Sequence, residues 1–320
     1  MPFISSVRGT YGAQGQRNRA SSRRITATGG NSVTDITVSG KNYRVHRFNS
    51  GGTFSVSDAG TGADTKLDVI IVAGGGSGGV DNGGGGGGGG LIDTQITPTA
   101  TNYSLTVGNG GPLRSGSEND GPGRGGENST GFGLTALGGG AGSGWTNTSQ
   151  PSQGGYNGGS GGGQGTASST SSGTAAVNSN RGLATQPSSA SGGFGNDGGF
   201  AVNSYAAGGG GAGGAGGNAA GGGTSGTPGV GGIGYLLNNR FGSGIGVSDR
   251  LAPGGTGGYE SSYSLSFNPG SNNGTTWNSG SQNQNATASN TGGGGHGSNH
   301  NDWNSGAGGS GIILIRYELF

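Results

Sequence analysis

In Ala212-Gly-Gly-Ala215-Gly-Gly-Asn218, and on through Thr224, Thr227, Val230 and Ile233, side chains return every third residue, with glycine in most places between. A period of three is neither the 3.6 of an α-helix nor the 2.0 of a strand. It matches polyproline II geometry, with about three residues per turn and a rise of about 3.1 Å per residue. Such a thread carries side chains on one face and bare backbone on the other two. Bare faces let neighbouring threads approach closely enough for N–H···O=C bonds and Cα–H···O contacts. The period therefore predicts a bundle of glycine threads joined through their main chains.

Glycine supplies 88 of the 320 residues, with only 9 prolines, which inverts the collagen pattern of one glycine in three. Without a register, such a composition reads as flexible linker. The three-residue register argues against that, because a solvated linker has no reason to keep one. Ordering so much glycine is entropically costly, so every thread needs bonded neighbours. The net charge of +1 gives no global attraction to nucleic acid or to membranes. The chain has no cysteine, hence no disulfides. No apolar run approaches the ~20 residues that span a bilayer, and Met1–Arg8 lacks the apolar core of a secretory signal.

Taken in order, residues 1–30 read as a separate basic arm, with Arg8, Arg17, Arg19, Arg23 and Arg24 and no acidic residue before Asp35. Phe3, Ile4 and Tyr11 are candidate anchors of this arm in an acidic groove of a partner protein; a solvated arm is the plain alternative. Residues 31–137 read as a β module. Tyr43–Phe48, the turn Asn49–Gly52 and Thr53–Val56 predict a hairpin with Phe48, Phe54 and Val56 on its covered face. Lys66–Ala73 is continuously apolar and predicts a strand buried on both faces. The unbroken tract Gly83–Gly90, about 25 Å long in this geometry, suits the bundle interior. Gly311–Tyr317 predicts a closing strand beside 66–73, completing the β module with residues 311–318. Residues 138–310 alternate glycine tracts with Ser-, Thr- and Asn-rich excursions near 145–153, 166–207, 235–251 and 260–291. The expected fold is thus mostly β and irregular with almost no α-helix: an extended arm, a β-sandwich-like module and a polyglycine II bundle.

Trp145, Tyr156, Tyr205, Tyr259, Tyr263, Trp277 and Trp303 sit among Ser, Asn and Gly, a mix that resembles antibody paratopes. They are candidate receptor-binding residues for glycans or outer-membrane loops. The competing reading is that they cap the bundle ends and shield its hydrogen bonds. Catalytic signals are absent. Gly-x-Gly-x-x-Gly means nothing in so glycine-rich a chain, and no Gly-Lys-Ser/Thr supports a P-loop. His296, His300 and Asp302 read as exposed loop residues rather than metal ligands, and the scattered carboxylates form no hydrolytic pair. No enzyme activity, cofactor or metal is expected.

Val45-His-Arg-Phe48, Gly52-Thr-Phe-Ser-Val56, Leu67–Gly76 and Gly308–Tyr317 together resemble the glycine-rich domain proteins of marine phages and cyanophages, from about residue 41 onward. The opening Met1–Gly12 resembles a start shared by cyanophage structural proteins. The tracts are similar in kind to long-tail-fibre adhesins of T-even-like phages, in which polyglycine II threads present variable loops. The resemblance implies a virion protein, a tail fibre or tip adhesin on the particle surface, bound to other virion proteins through its arm. A head fibre, decoration or adaptor protein is the alternative. Fibres are commonly homotrimers, whereas a glycine sandwich can be complete in one chain, and both remain open. The resemblance implies no membrane insertion and no nucleic acid.

Overall fold

The computed structural model describes residues 23–61, 65–115, 121–145, 155–166, 181–202, 204–221, 226–259, 289–299 and 304–319. Among these residues there is no helix; the regular structure is antiparallel β. One sheet has the order β2 (Ser32–Val38), β3 (Lys41–Phe48), β12 (Ile312–Glu318), β5 (Leu67–Val72) and β6 (Leu91–Ile96). A smaller sheet has the order β1 (Ile25–Thr28), β4 (Gly52–Ala59) and β7 (Asn102–Leu105). The closing strand β12 sits mid-sheet against β5, with Ile313 opposite Ile71 and Ile315 opposite Val69.

The two sheets share one core. Ile25, Phe54 and Val56 of the small sheet meet Phe48, Val69, Ile71, Ile313, Ile315 and Tyr317 of the large one. β1 therefore places residues 25–28, at the end of the expected arm, in the sandwich, with Ile25 and Ala27 buried. The expected 43–56 hairpin is not formed. β3 pairs with β2 and β12, whereas β4 pairs with β1 and β7. The chain crosses between the sheets after Phe48, and Phe48 and Phe54 meet edge to face with centroids 6.4 Å apart. Both arrangements bury the same aromatic face, so the apolar pattern does not distinguish them. The hairpin that does form joins β2 to β3 through Ser39 and Gly40, whose φ angles of 52° and 77° suit a tight two-residue turn.

Strand β5 is buried on both faces, as its apolar run predicts. Ile70, Val72, Ile312 and Leu314 point away from the small sheet and lie under Leu237, Phe241, Ile245 and Leu251. The excursion at 235–251 is thus a cover for the sheet rather than a polar loop. It includes the short strands β10 (Tyr235–Leu236) and β11 (Arg250–Leu251). Arg240 bonds to the Asp93 carboxylate, which also accepts from the Tyr235 hydroxyl at 2.7 Å. Another small hairpin, β8 (Ser129–Gly131) with β9 (Leu134–Ala136), packs near the sandwich.

The glycine tracts are neither strand nor helix, and their bonding repeats every three residues. Each N–H from Gly83 to Gly90 donates to a carbonyl of another tract, at 2.7–3.1 Å. Gly83, Gly86 and Gly89 reach Ser298, Gly295 and Gly292; Gly84, Gly87 and Gly90 reach Ser143, Gly140 and Leu137; Gly85 and Gly88 reach Ala207 and Gly210. The carbonyls follow the same rule. Those of Gly84, Gly87 and Gly90 accept from Gly79, Gly76 and Ala73; those of Gly85 and Gly88 from Gly163 and Ser160; those of Gly83 and Gly86 from Gly258 and Gly255. Six tracts therefore surround 83–90. They also bond to one another in a closed ring: 73–79, 137–143, 160–164, 206–212, 252–258 and 292–298.

Glycine is required here by proximity rather than by φ, since none of Gly83–Gly90 has a left-handed φ. A Cβ on Gly85, Gly86 or Gly89 would meet a carbonyl oxygen of the next tract at 2.1 Å. The periodic stretch 212–218 is peripheral by comparison. It turns at Ala212–Gly213, with Gly211 bridged to Gly214, so it belongs to two threads rather than one. The middle of the bundle is the tract with no side chain.

Candidate functional site

The bundle has two unlike ends. At one, Ala73 and Leu91 run directly into β5 and β6 of the sandwich. At the other, the threads 73–80 and 83–90 are joined by the turn Asp81–Asn82, with φ angles of 55° and 53°. Asp81 and Asn82 are buried there by their neighbours. Several stretches of the chain come together at this turn end. Trp145 donates its N–H to Val80 O at 3.2 Å, and Thr166 donates to Asn82 O at 3.1 Å. Val202 and Tyr205 bridge to each other, and Tyr205 bridges to Tyr259. Ala220 bridges to Thr227, and Gly226 N–H donates to the Tyr205 hydroxyl at 3.1 Å. Tyr259 N–H donates to Asn299 Oδ1 at 3.4 Å, and Ser305 N–H to Arg114 O at 3.0 Å.

The structure separates the candidate aromatics. Trp145 is half-buried at the turn end, and Tyr156 is 45% exposed on the bundle's side. Tyr205 and Tyr259 are buried and stacked, with centroids 6.3 Å apart and planes at 15°, in a cluster with Val202 and Ala219. These two phenols shield bundle hydrogen bonds, so they offer no contact area to an outside molecule. Tyr263, Trp277 and Trp303 lie outside the described residues, as do Phe3, Ile4, Arg8, Tyr11, Arg17 and Arg19. Arg23 is exposed, its guanidinium 3.5 Å from Asp58 and its N–H bonded to Thr61 Oγ1 at 3.0 Å. Arg24 is half-buried just before β1.

His296 is not an exposed loop residue: it is fully buried in the thread 292–298. Burial without a charged neighbour pushes its imidazole down to about 4. Two residue types in the sequence carried the missed signals. The Asp-Gly-like pair Asp81-Asn82 before a glycine run is a turn signal, and an isolated histidine at a side-chain position of the period faces a neighbouring thread. His300 and Asp302 lie outside the described residues, and among the described ones no three His, Cys, Asp or Glu side chains come together as a metal site.

A protein-family model for a glycine-rich domain matches residues 49–318. The chain therefore belongs to the glycine-rich domain family, whose matched region contains every strand except β1, β2 and β3. Among curated proteins none matches the chain.

Proposed function

We propose that this chain is a structural protein of a bacteriophage virion, a tail fibre or tip adhesin whose polyglycine II bundle displays loops to a host surface. One observation carries the reading: Trp145, Thr166 and Tyr259, which border the polar excursions, all lie at the end of the bundle remote from the sandwich. A rigid lattice whose polar, aromatic-bearing excursions set out from one end is suited to recognition, because loops on a fixed scaffold can vary without disturbing it. The sandwich and the basic residues ahead of β1 are then the side turned to other virion proteins, and the turn end faces host glycan or envelope protein. Trp145, Trp277 and Trp303 are the aromatic contacts in this reading. The burial of Tyr205 and Tyr259 favours a second one, in which the bundle is a spacer in a head fibre, decoration or adaptor protein.

The test is binding of the isolated protein to host envelope or purified surface polysaccharide. The adhesin reading expects binding that is lost in Trp145→Ala and Trp277→Ala while the thermal midpoint is retained. A chain located on the capsid, whose deletion leaves host adsorption unchanged, replaces it with the second reading.

A further inference from the structure

Around the central thread each lateral bond joins backbone to backbone, but the ring opens in character where 252–259 faces 291–299. Gly294 and Gly297 donate to Pro253 O and Thr256 O in the usual way. Of the N–H groups returning from 252–259, that of Ala252 meets Thr291 O at 2.6 Å, but the register Pro253, Thr256 and Tyr259 beyond it meets no carbonyl. Pro253 has none to give; that of Thr256 donates to His296 Nδ1 at 3.3 Å; that of Tyr259 donates to Asn299 Oδ1 at 3.4 Å. The Thr256 hydroxyl also bonds His296 Nδ1. Side chains three residues apart thus stand where a further thread would run. His296 and Asn299 do the same work one turn apart, and both are buried. An amide oxygen is sufficient for this task, as Asn299 shows. What histidine adds is a proton site.

We propose that His296 is an acid-sensitive latch: neutral, it closes the wall between threads 252–259 and 291–299, and protonated, it releases that wall. Accepting from Thr256 N–H requires an unprotonated Nδ1. A proton there sets donor against donor, although the Thr256 hydroxyl can still accept. The larger cost is the buried cation. Nε2 has no hydrogen-bond partner, and a charge enclosed without a partner is strongly disfavoured. Among the described residues no opposing charge faces the ring. Threads 73–80, 83–90 and 304–309 bring no ionisable side chain beside it, 252–259 brings only Tyr259, and Asp81 lies beyond the end of 73–80. The sign follows. The imidazole protonates near 6.5 when free and near 4 when enclosed, so closure is fully favoured above pH 6.5 and weakens as the pH falls toward 4. Across that window the opened population rises by roughly two orders of magnitude.

Hydrogen–deuterium exchange of the full chain, corrected for intrinsic rates, reads this directly in peptides covering 252–259 and 291–299. The wild type should show about a hundredfold rise in opening between pH 7 and pH 4, and His296→Asn should remain flat while His46 is present in both. A flat wild type, or an equal rise in His296→Asn, overturns the latch. Should His296→Asn not fold, an NMR titration of the wild-type imidazole decides: protonation near pH 4 with loss of the closed-state signals supports it, and protonation near 6.5 refutes it.

Discussion

Gly86→Ala places a single methyl group at the centre of the bundle. Its Cβ would lie 2.1 Å from Gly76 O, 2.6 Å from Gly76 C and 2.8 Å from Ser77 O, all backbone atoms that no rotamer change can move. Restoring ordinary contact requires thread 73–79 to retreat by more than 1 Å, roughly the difference between 2.1 Å and a normal van der Waals approach. That thread is tied to the centre by Ala73 N–H to Gly90 O, Gly76 N–H to Gly87 O and Gly79 N–H to Gly84 O, at 2.9–3.1 Å. A retreat of that size breaks the middle bond and lengthens the other two beyond useful range. Overpacking costs about 1–3 kcal/mol and each of the three lost bonds about 1 kcal/mol, so the expected loss is about 4–6 kcal/mol. Two controls separate crowding from backbone effects. Gly133→Ala meets nothing within 4 Å but has φ +75°, and should cost about 1 kcal/mol. Gly125→Ala has no left-handed φ and its nearest neighbour is Gly139 O at 3.5 Å, so it should be neutral or gain a few tenths of a kcal/mol. Urea midpoints at neutral pH rank the three. If Gly86→Ala is no less stable than Gly133→Ala, close approach of the threads is not what demands glycine.

Other outcomes follow from the cover and the turn end. Phe241→Ala empties a buried position above β12 and β5 and should cost about 3–5 kcal/mol by denaturant melting. Arg316→Ala removes the partner of Asp68, whose carboxylate accepts from Arg316 Nε at 2.7 Å with both side chains largely buried; about 3 kcal/mol should be lost, partly recovered in the Asp68→Asn double variant. Tyr205→Phe leaves the Gly226 N–H without its hydroxyl acceptor and should lower stability by about 1 kcal/mol while retaining the stacked pair, checked by thermal melting and near-ultraviolet dichroism.

The sandwich strands were legible because apolar runs such as Leu67–Val72 and Ile312–Tyr317 state their burial on both faces. Their partners were less legible. Phe48 and Phe54 face one core whether β3 and β4 form a hairpin or belong to two sheets. A period of three can be read only where side chains mark it, so 212–218 displayed the pattern although it lies at a fold in the chain. Gly83–Gly90 has no marks, and its central position could be argued only from the absence of anything to exclude a neighbour. The cover at 235–251 was hidden among Asn, Gly and Ser, because its buried Leu237, Phe241 and Ile245 recur without a strand or thread period. His296 was misplaced for a related reason: surrounded by glycine, it reads as solvated, yet the glycines are what enclose it.

The Asp81–Asn82 end has an evolutionary corollary in chain length. Inside the hexagonal array a single added methyl is resisted by the backbone on every side, so its spelling is nearly frozen. An insertion placed between two threads at that end is under no such restraint, since doubling the length of a flexible loop adds only about 0.6 kcal/mol in closure entropy. The fold thus pairs a central thread that admits no side chain with an end at which added length would cost little.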